Sequence, residues 1–538
     1  MNRLRSTLPH AGAGVLATFT GMAAAHLAAA LTTPAASPVL AVGSAVIDAT
    51  PTTVKEWAVR EFGTADKPIL LGSVIVGTLA LAGLAGVLAG RRFALGAGLL
   101  VVLAAVAAVA ALLRPLAAIG DVVPSLVAAA VGPATLGWLG RRIGSGAPRR
   151  TAQATPPSAV EPGSRDKPTG LVRLDRERPV TPREGRPDRR TLLLGAGALS
   201  VAAVGMGLGG HRVIAARTRP GNVTLPVAVE VLEPLPTGLE REYAGISAFR
   251  TPNAEFYRVD TNLTLPVVPV NDWTLTIDGD VDRVVTLDYD QLSRMRMVER
   301  DITLTCVSNE VGGRYVGAAR WLGVPLRDLL DEAGIGSTRA DQLLSTAVDG
   351  FTISTPLEVA LDGRDTMVAV GMNGEPLPAA HGFPARLVTP GLYGYVGATK
   401  WLTRLTLTTY AAQAAYWTRR DWATDAPIKI SSRIDTPAPL STIRSGPTVI
   451  GGVAWAQTRG VARVDVRIDG GPWQRAELGP DAGVDYWRQW YLPWEAAPGS
   501  HMLAVRATSG EGEVQTAVRA TPFPDGSSGI QEIVVRVS

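Results

Sequence analysis

Five apolar stretches, at about residues 11–33, 69–90, 93–113, 122–140 and 191–213, all lie before residue 215. Each is close to the roughly 20 residues that a bilayer's hydrocarbon core requires of a helix. The chain of 538 residues therefore reads as two materials, a membrane half and a globular half. Its overall 46% hydrophobic and 19% charged content averages the two and describes neither. At this length several folding units are expected.

The first stretch is rich in alanine, contains Thr18, Thr20 and His26, and follows the basic segment Met1–Arg5. It reads either as a span or as a cleaved signal peptide. Pro124 and Pro133 interrupt the fourth stretch, which a helix inside a bundle tolerates. Positive charge on short flanks sets orientation, and Arg3, Arg5, Arg91, Arg92, Arg141, Arg142, Arg149 and Arg150 agree on one topology. With the amino terminus in the cytoplasm, residues 1–142 hold four helices, 191–213 a fifth, and residues 214–538 emerge outside.

Residues 143–190 form an Arg/Pro-rich cytoplasmic loop without apolar periodicity, expected to be disordered as far as residue 188. Residues 141–190 carry a net +7 of the chain's total of +4, which leaves the remainder at −3. That distribution argues against a nucleic-acid footprint on the globular half. The loop ends in Asp188-Arg189-Arg190-Thr191-Leu192-Leu193 before a Gly/Ala-rich stretch, resembling a twin-arginine export signal. An arginine pair before a span also serves plain positive-inside orientation.

From about Gly245 short alternating segments take over, among them Trp273, Leu275, Ile277 and then Ile302, Leu304, Cys306 with Thr303 and Thr305 opposite. These predict strands with one buried face. Arg320–Gly334 spaces Leu326, Leu329 and Leu330 at helical intervals and ends at a glycine. An α+β domain over residues 245–412 follows. Beyond Pro437 the alternation of Val449, Gly451, Val453, Trp455, of Val464, Val466, Ile468, of Trp490, Leu492, Trp494 and of Ile533, Val535, Val537 predicts an all-β, immunoglobulin-like sandwich over 431–538. It holds no catalytic constellation, so packing or dimerisation is its expected role.

One cysteine excludes an internal disulfide and any multi-thiolate zinc or iron–sulfur site. Among five histidines only His26 lies in a strongly apolar stretch, so no clear haem site is present. Cys306 closes an apolar strand before the glycine-containing loop Val307–Gly313, where catalytic groups often project. A free cysteine is equally at home as an inert buried thiol.

The run Met372-Asn373-Gly374-Glu375-Pro376-Leu377-Pro378-Ala379-Ala380-His381-Gly382-Phe383-Pro384-Ala385-Arg386-Leu387-Val388-Thr389-Pro390-Gly391 closely resembles the cofactor segment of the sulfite oxidase family. Ala319–Leu326, Lys400-Trp401-Leu402, Tyr416–Asp421 and Asp469–Trp473 fall in the family's order, so the resemblance extends over about residues 245–538. It implies a molybdenum–molybdopterin cofactor with Cys306 as the thiolate ligand to the metal, a soft donor suited to that centre. It further implies that His381, Arg386 and Lys400 bind the pterin phosphate and that Asp349 is a pterin contact, a turn-forming aspartate being the other reading. Gly391, Gly394 and Gly397 are expected to allow close backbone approach. Phe256, Tyr257 and Arg258 resemble an aromatic–arginine segment beside the cofactor, with a core aromatic and a solvated arginine as the alternative.

The family's substrate-binding arginine pair is replaced here by Glu310 and Val311, which counts against strict recognition of a sulfite dianion. The expected activity is two-electron oxygen-atom transfer on a sulfur compound, with sulfoxide reduction or a non-enzymatic binding module as alternatives. Electrons would pass to a separate cytochrome- or quinone-linked partner, and the sandwich would form a homodimer. A domain that receives its cofactor in the cytoplasm must cross the membrane folded, which gives a twin-arginine signal its purpose.

Overall fold

The computed structural model describes residues 2–51, 54, 57, 61–62, 65–144, 189–218 and 223–538. Residues 145–188, where the loop is expected to be disordered, lie outside that range. The chain divides into two compact units, one of apolar helices and one containing Arg212–Ser538.

In the first unit, helices long and apolar enough to cross a membrane cover Thr7–Leu31, Lys67–Arg91, Phe93–Leu112, Ile119–Ile143 and Leu193–Arg217. All five stretches read from the sequence are thus helical. The fourth is continuous through Pro133 across Val123–Gly144, because neighbouring helices tolerate the missing donor. A further apolar helix, Pro38–Ala49, is too short to span and was not expected. Gly14 packs against the backbone of Ala82 and Gly86, so a Cβ there would clash with main-chain atoms. Small residues at such crossings let membrane helices approach closely.

The second unit opens with irregular backbone and then ten strands among the described residues: β1 (Thr274–Gly279), β2 (Val285–Asp288), β3 (Val298–Thr305), β4 (Val316–Pro325), β5 (Gln342–Ala347), β6 (Thr352–Pro356), β7 (Met367–Met372), β8 (Glu375–Pro376), β9 (Arg386–Val388) and β10 (Leu402–Thr408). They form one sheet in the order β2-β1-β10-β5-β6 and another in the order β3-β4-β7-β8, with β9 paired to β7. The β1–β10 pair is parallel, and the chain alternates between the sheets: β3 and β4 start the second, β5 and β6 return to the first, β7–β9 complete the second, and β10 closes the first beside β1. Leu275, Ile277, Leu405 and Leu407 of the first sheet meet Val368, Val370 and Leu387 of the second in one core.

The helix expected over Arg320–Gly334 is confined to Leu326–Ala333. Residues 320–325 instead finish β4, since Arg320–Gly323 pair with β3 and Trp321–Pro325 with β7. Leu326, Leu329, Leu330 and Ala333 are all fully buried, and Gly334 ends the helix at φ +72°.

The carboxy-terminal strands β11 (Ser431–Thr436), β12 (Thr442–Ile443), β13 (Gly446–Trp455), β14 (Val461–Ile468), β15 (Gln474–Arg475), β16 (Glu477–Leu478), β17 (Arg488–Ala496), β18 (Gly499–Ser509) and β19 (Gln531–Val537) form two further sheets. Their orders are β11-β13-β17-β16 and β12-β19-β18-β14-β15. Trp490, Leu492, Val464, Val466, Ile533 and Val535 fill the space between them as the alternation predicts.

The phase of β13 differs from the expected one. Ile450 and Ala454 face the intersheet core, whereas Val453 and Trp455 belong to a separate cluster with Phe249, Val307, Tyr393 and Trp487. The strand is buried on both faces because its outer face packs on the first β body. The same covering corrects the expectation for β3: Thr303 and Thr305 are buried, not solvated. Thr303 donates its N–H to Asp485 O (2.9 Å), accepts Trp487 N–H on Oγ1 (2.8 Å), and its carbonyl accepts from Gln457 Nε2 (3.1 Å).

Candidate active site

Strand β3 delivers Cys306 at its end, where the thiol residue is 8% exposed. Its N–H donates to Tyr315 O (2.9 Å), and its carbonyl accepts from Asn309 N (3.0 Å), closing a turn. Burial pushes the thiol up from its ordinary value, against hydrogen bonds from the backbone and side chain of Ser308 and the charge of Lys400. A thiol held neutral by burial becomes a strong ligand once a cation displaces its proton.

Phe256 and Tyr257 come from irregular backbone pinned at several points. Thr251 N–H donates to Ala318 O (2.9 Å) on β4, and the Asn373 amide donates to Thr251 O (2.9 Å) and Asn253 Oδ1 (2.8 Å). Phe256 then stacks on Tyr257 at 5.2 Å and lies edge-on to Trp321 at 5.9 Å and to His381 at 5.4 Å. Gly317 makes this possible, since a Cβ there would sit 2.8 Å from the Phe256 ring. Tyr257 is partly buried; desolvation first, and the neighbouring Cys306 second, raise its phenol far above the ordinary range. The hydroxyl therefore stays protonated.

The segment from β8 to β10 supplies the nitrogen donors, two of them cationic. His381 Nε2 donates to Asn253 O (2.9 Å), and desolvation, followed by the charges of Arg386, Lys400 and Arg258, lowers the ring to about 4. Arg386 is 5% exposed; Nη1 donates to His381 O (3.1 Å), while Nε has no partner. Its guanidinium lies 5.0 Å over the Trp321 ring, has no ion pair among the described residues, and is lowered to about 10 by desolvation. Lys400 Nζ is 2.7 Å from Asp260 Oδ2 and 4.7 Å from the Trp401 ring centre; desolvation lowers it to about 8 against the pull of Asp260. Gly382, at φ +114°, places these residues side by side: a Cβ there would meet Lys400 Cα at 3.0 Å and Arg386 Cβ at 3.1 Å.

Cys306, Phe256, Tyr257, His381, Arg386 and Lys400 therefore gather in one place. Arg258 stands at its edge: its side chain is 35% exposed and its Nε pairs with Asp260 at 2.7 Å. Asp349 occupies the β5–β6 turn, where Oδ1 accepts Phe351 N–H (3.0 Å). Val348 next to it donates to Trp401 O (2.9 Å), so Asp349 borders the Lys400 segment while serving its own turn. Of the expected glycines, Gly391 has φ +77°, and a Cβ on Gly397 would approach Thr389 at 2.9 Å, so both serve local packing. Gly394 is different: a Cβ there would meet nothing nearer than 3.8 Å, lying 3.9 Å from both Tyr257 Oη and Thr305 O.

Several contributors escape sequence reasoning. Asp260, which joins Arg258 to Lys400, stands only two residues beyond Arg258, but nothing in the sequence ties it to a lysine 140 positions later. The carboxy-terminal sheets also reach the loop after Cys306. Ser527 Oγ donates to Asn309 O (2.5 Å) and Arg433 Nη1 to Gly313 O (2.9 Å). Glu310 and Val311 line a cavity of about 10 Å³, space for a single water, together with Ser432, Trp455 and Gln515.

Residues 262–417 match the family described as oxidoreductase molybdopterin binding domain. Mitochondrial sulfite oxidase of Rattus norvegicus is 32% identical over 288 residues, 46% of this chain and 51% of that protein. Inducible nitrate reductase [NADH] 2 of Glycine max is 30% identical over 301 residues, 44% of this chain and 34% of that one. The chain thus spans about half, or less, of the length of these curated relatives. The sulfane dehydrogenase SoxCD from Paracoccus pantotrophus, a solved structure, is 26% identical with a TM-score of 0.48, over 58% of this chain and 90% of its own.

The residues fit the cofactor those matches imply. A buried guanidinium with an orphaned Nε calls for an anion, because an unpaired interior charge is strongly unfavourable. The hydroxyls of Thr305 and Thr389 are likewise buried without partners. One soft thiol, three nitrogen donors and a Cβ-free gap at Gly394 form a donor set for a metal carried on a phosphorylated organic group.

Proposed function

We propose that the globular half, whose residues 262–417 match the oxidoreductase molybdopterin binding domain, is a molybdopterin oxidoreductase of the sulfite oxidase family, and that this chain carries out two-electron oxygen-atom transfer on a sulfur compound outside the membrane that anchors it. The observation that carries the reading is the convergence of the lone thiol of Cys306 with the unpaired buried cation of Arg386.

When bound, the molybdenum–pterin group supplies a centre that exchanges an oxygen atom and two electrons with a substrate lone pair. Cys306 Sγ would be its one protein ligand. Arg386, Lys400 and His381 would hold the pterin phosphate, Arg386 gaining the partner it lacks and Lys400 releasing part of its hold on Asp260. Tyr257, whose phenol desolvation keeps protonated, would offer a hydroxyl donor to a bound substrate. Phe256 fixes its ring, and the β11–β19 body shields the loop after Cys306 from water.

Substrate choice turns on Glu310 and Val311. Placing a carboxylate and an apolar side chain where relatives use arginines disfavours a doubly charged anion by some 2–5 kcal/mol. A neutral sulfur centre, such as a sulfoxide giving up its oxygen atom as the reaction runs in reverse, suits this loop better than sulfite. We further propose a twin-arginine route through Arg189 and Arg190, an immunoglobulin-like carboxy-terminal sandwich that forms a homodimer, and a separate cytochrome- or quinone-linked electron partner.

The test is metal and pterin analysis of wild type and Cys306→Ser, expressed where the cofactor is made. Equimolar molybdenum in the wild type, with loss of the sulfur-ligand signature and of turnover in Cys306→Ser, supports the reading. Absence of metal and pterin from both would sink it. Sulfite and a dialkyl sulfoxide, assayed with artificial electron carriers, then separate the two substrate classes.

A further inference from the structure

Far from Cys306, the surface opens into a cleft of about 220 Å³ lined by the first residues of β3, the start of the helix Leu326–Ala333 and the loop before β7. Val298 lines the cleft and stands eight positions before Cys306, about 25 Å at the rise of an extended chain. The cleft is thus distinct from the cofactor pocket and independent of the function proposed for it.

Four arginines, Arg296, Arg300, Arg327 and Arg364, line it against one carboxylate, Asp365. Three of them are already held. Arg296 pairs with Glu230 and Asp328, Arg300 with Glu230 and Asp365, and Arg364 with Asp362. Arg327 is the exception, since its guanidinium donates only to the carbonyl of Leu361 (3.2 Å) and no carboxylate reaches it among the described residues.

Two independent features border the same space. The helix bearing Arg327 starts at the cleft wall with Pro325 as its N-cap, and no side chain caps it. The Leu326 amide is already taken by Thr366 O (2.8 Å) and Asp328 stands in the first turn, so the amides that follow Leu326 present what remains of the positive end of the helix dipole. Thr366, 4% exposed, lies in the wall with a hydroxyl that has no hydrogen-bond partner. An orphaned hydroxyl, an exposed guanidinium without a carboxylate partner among the described residues and a helix start without a side-chain cap all suit one kind of ligand.

We propose that this cleft binds an oxyanion of the phosphate or sulfate type, held by Arg327 and Thr366 in the field of the helix terminus and the neighbouring arginines. The cleft is larger than a bare ion, so an esterified phosphate such as a lipid headgroup presents the same chemistry as the free ion.

The full-length chain, loaded with cofactor in detergent, is titrated with sodium sulfate and sodium phosphate and followed by thermal unfolding, with sodium chloride at equal ionic strength as reference. A saturable rise in Tm beyond the chloride effect is expected. Arg327→Gln and Thr366→Val each shift the titration midpoint upward by about tenfold, Thr366→Ser leaves it near the wild-type value, and molybdenum content is the same in all. A rise that chloride reproduces, or a midpoint unmoved in both Arg327→Gln and Thr366→Val, overturns the proposal. A lower midpoint for dihexanoyl phosphatidylglycerol than for inorganic phosphate assigns the site to a headgroup; a higher one assigns it to the free ion.

Discussion

Arg386 concentrates the chemistry of the pocket in one side chain. Its charge is buried over Trp321 with neutral company, so protein lacking cofactor carries an electrostatic burden that the pterin phosphate removes. Arg386→Met is expected to stabilise cofactor-free protein by about 1–3 kcal/mol in urea unfolding, while pterin retained through gel filtration falls sharply. A less stable variant with undiminished pterin would contradict this account. His381 gives a second expectation. Its folded-state value of about 4 lies below the ordinary 6.5, so between those values the unfolded chain binds a proton that the folded one refuses. Stability from this residue is complete above pH 6.5 and declines as pH falls toward 4, by an amount on the order of 3 kcal/mol. His381→Gln should flatten that acid limb in cofactor-free protein, measured by unfolding midpoints across the range. Six of the eight expected site residues converge, because motif order registers chemistry that distant segments must share. Asp260 stayed invisible because ion pairs across 140 residues leave no local pattern, and Asp349 satisfies its own turn in the way an aspartate at that position ordinarily does.

Elements were legible where one face meets water and misread where both faces are covered. The alternation of Trp490, Leu492 and Trp494 predicted β17 correctly because its pattern follows a single core. In β13 the larger residues Val453 and Trp455 drew attention to the face that packs against Phe249 and Trp487, while Ile450 and Ala454 built the intersheet core. Period-two reasoning supplies no rule for choosing between two buried faces. Ile450→Ala is therefore expected to cost about 2–5 kcal/mol in chemical denaturation, as a fully enclosed aliphatic does. A cost below 1 kcal/mol would mean that the intersheet core yields freely. The helix Leu326–Ala333 was read six residues too long at its start because apolar spacing cannot distinguish the end of β4 from a first helical turn.

For the molecule as a whole, sequence located all five candidate membrane helices, since length and hydropathy alone define them. The side on which the globular half lies is a matter for experiment. Replacing both Arg189 and Arg190 with lysine preserves positive charge for orientation but removes a twin-arginine signal. The globular half of that variant is expected to remain shielded from protease added to intact cells, whereas the wild type is cleaved; equal cleavage would leave only the orientation role. The bonds between the two β bodies bear on a different matter. Phe249 O accepts from both Tyr486 Oη (2.9 Å) and Trp487 Nε1 (2.7 Å), and β13 is interior to both bodies at once. In the vocabulary of gene rearrangement, the segment beyond residue 431 is not a cassette. A recombinant that exchanged it alone would inherit a face cut to fit another partner, so the two β bodies are heritable only as a pair.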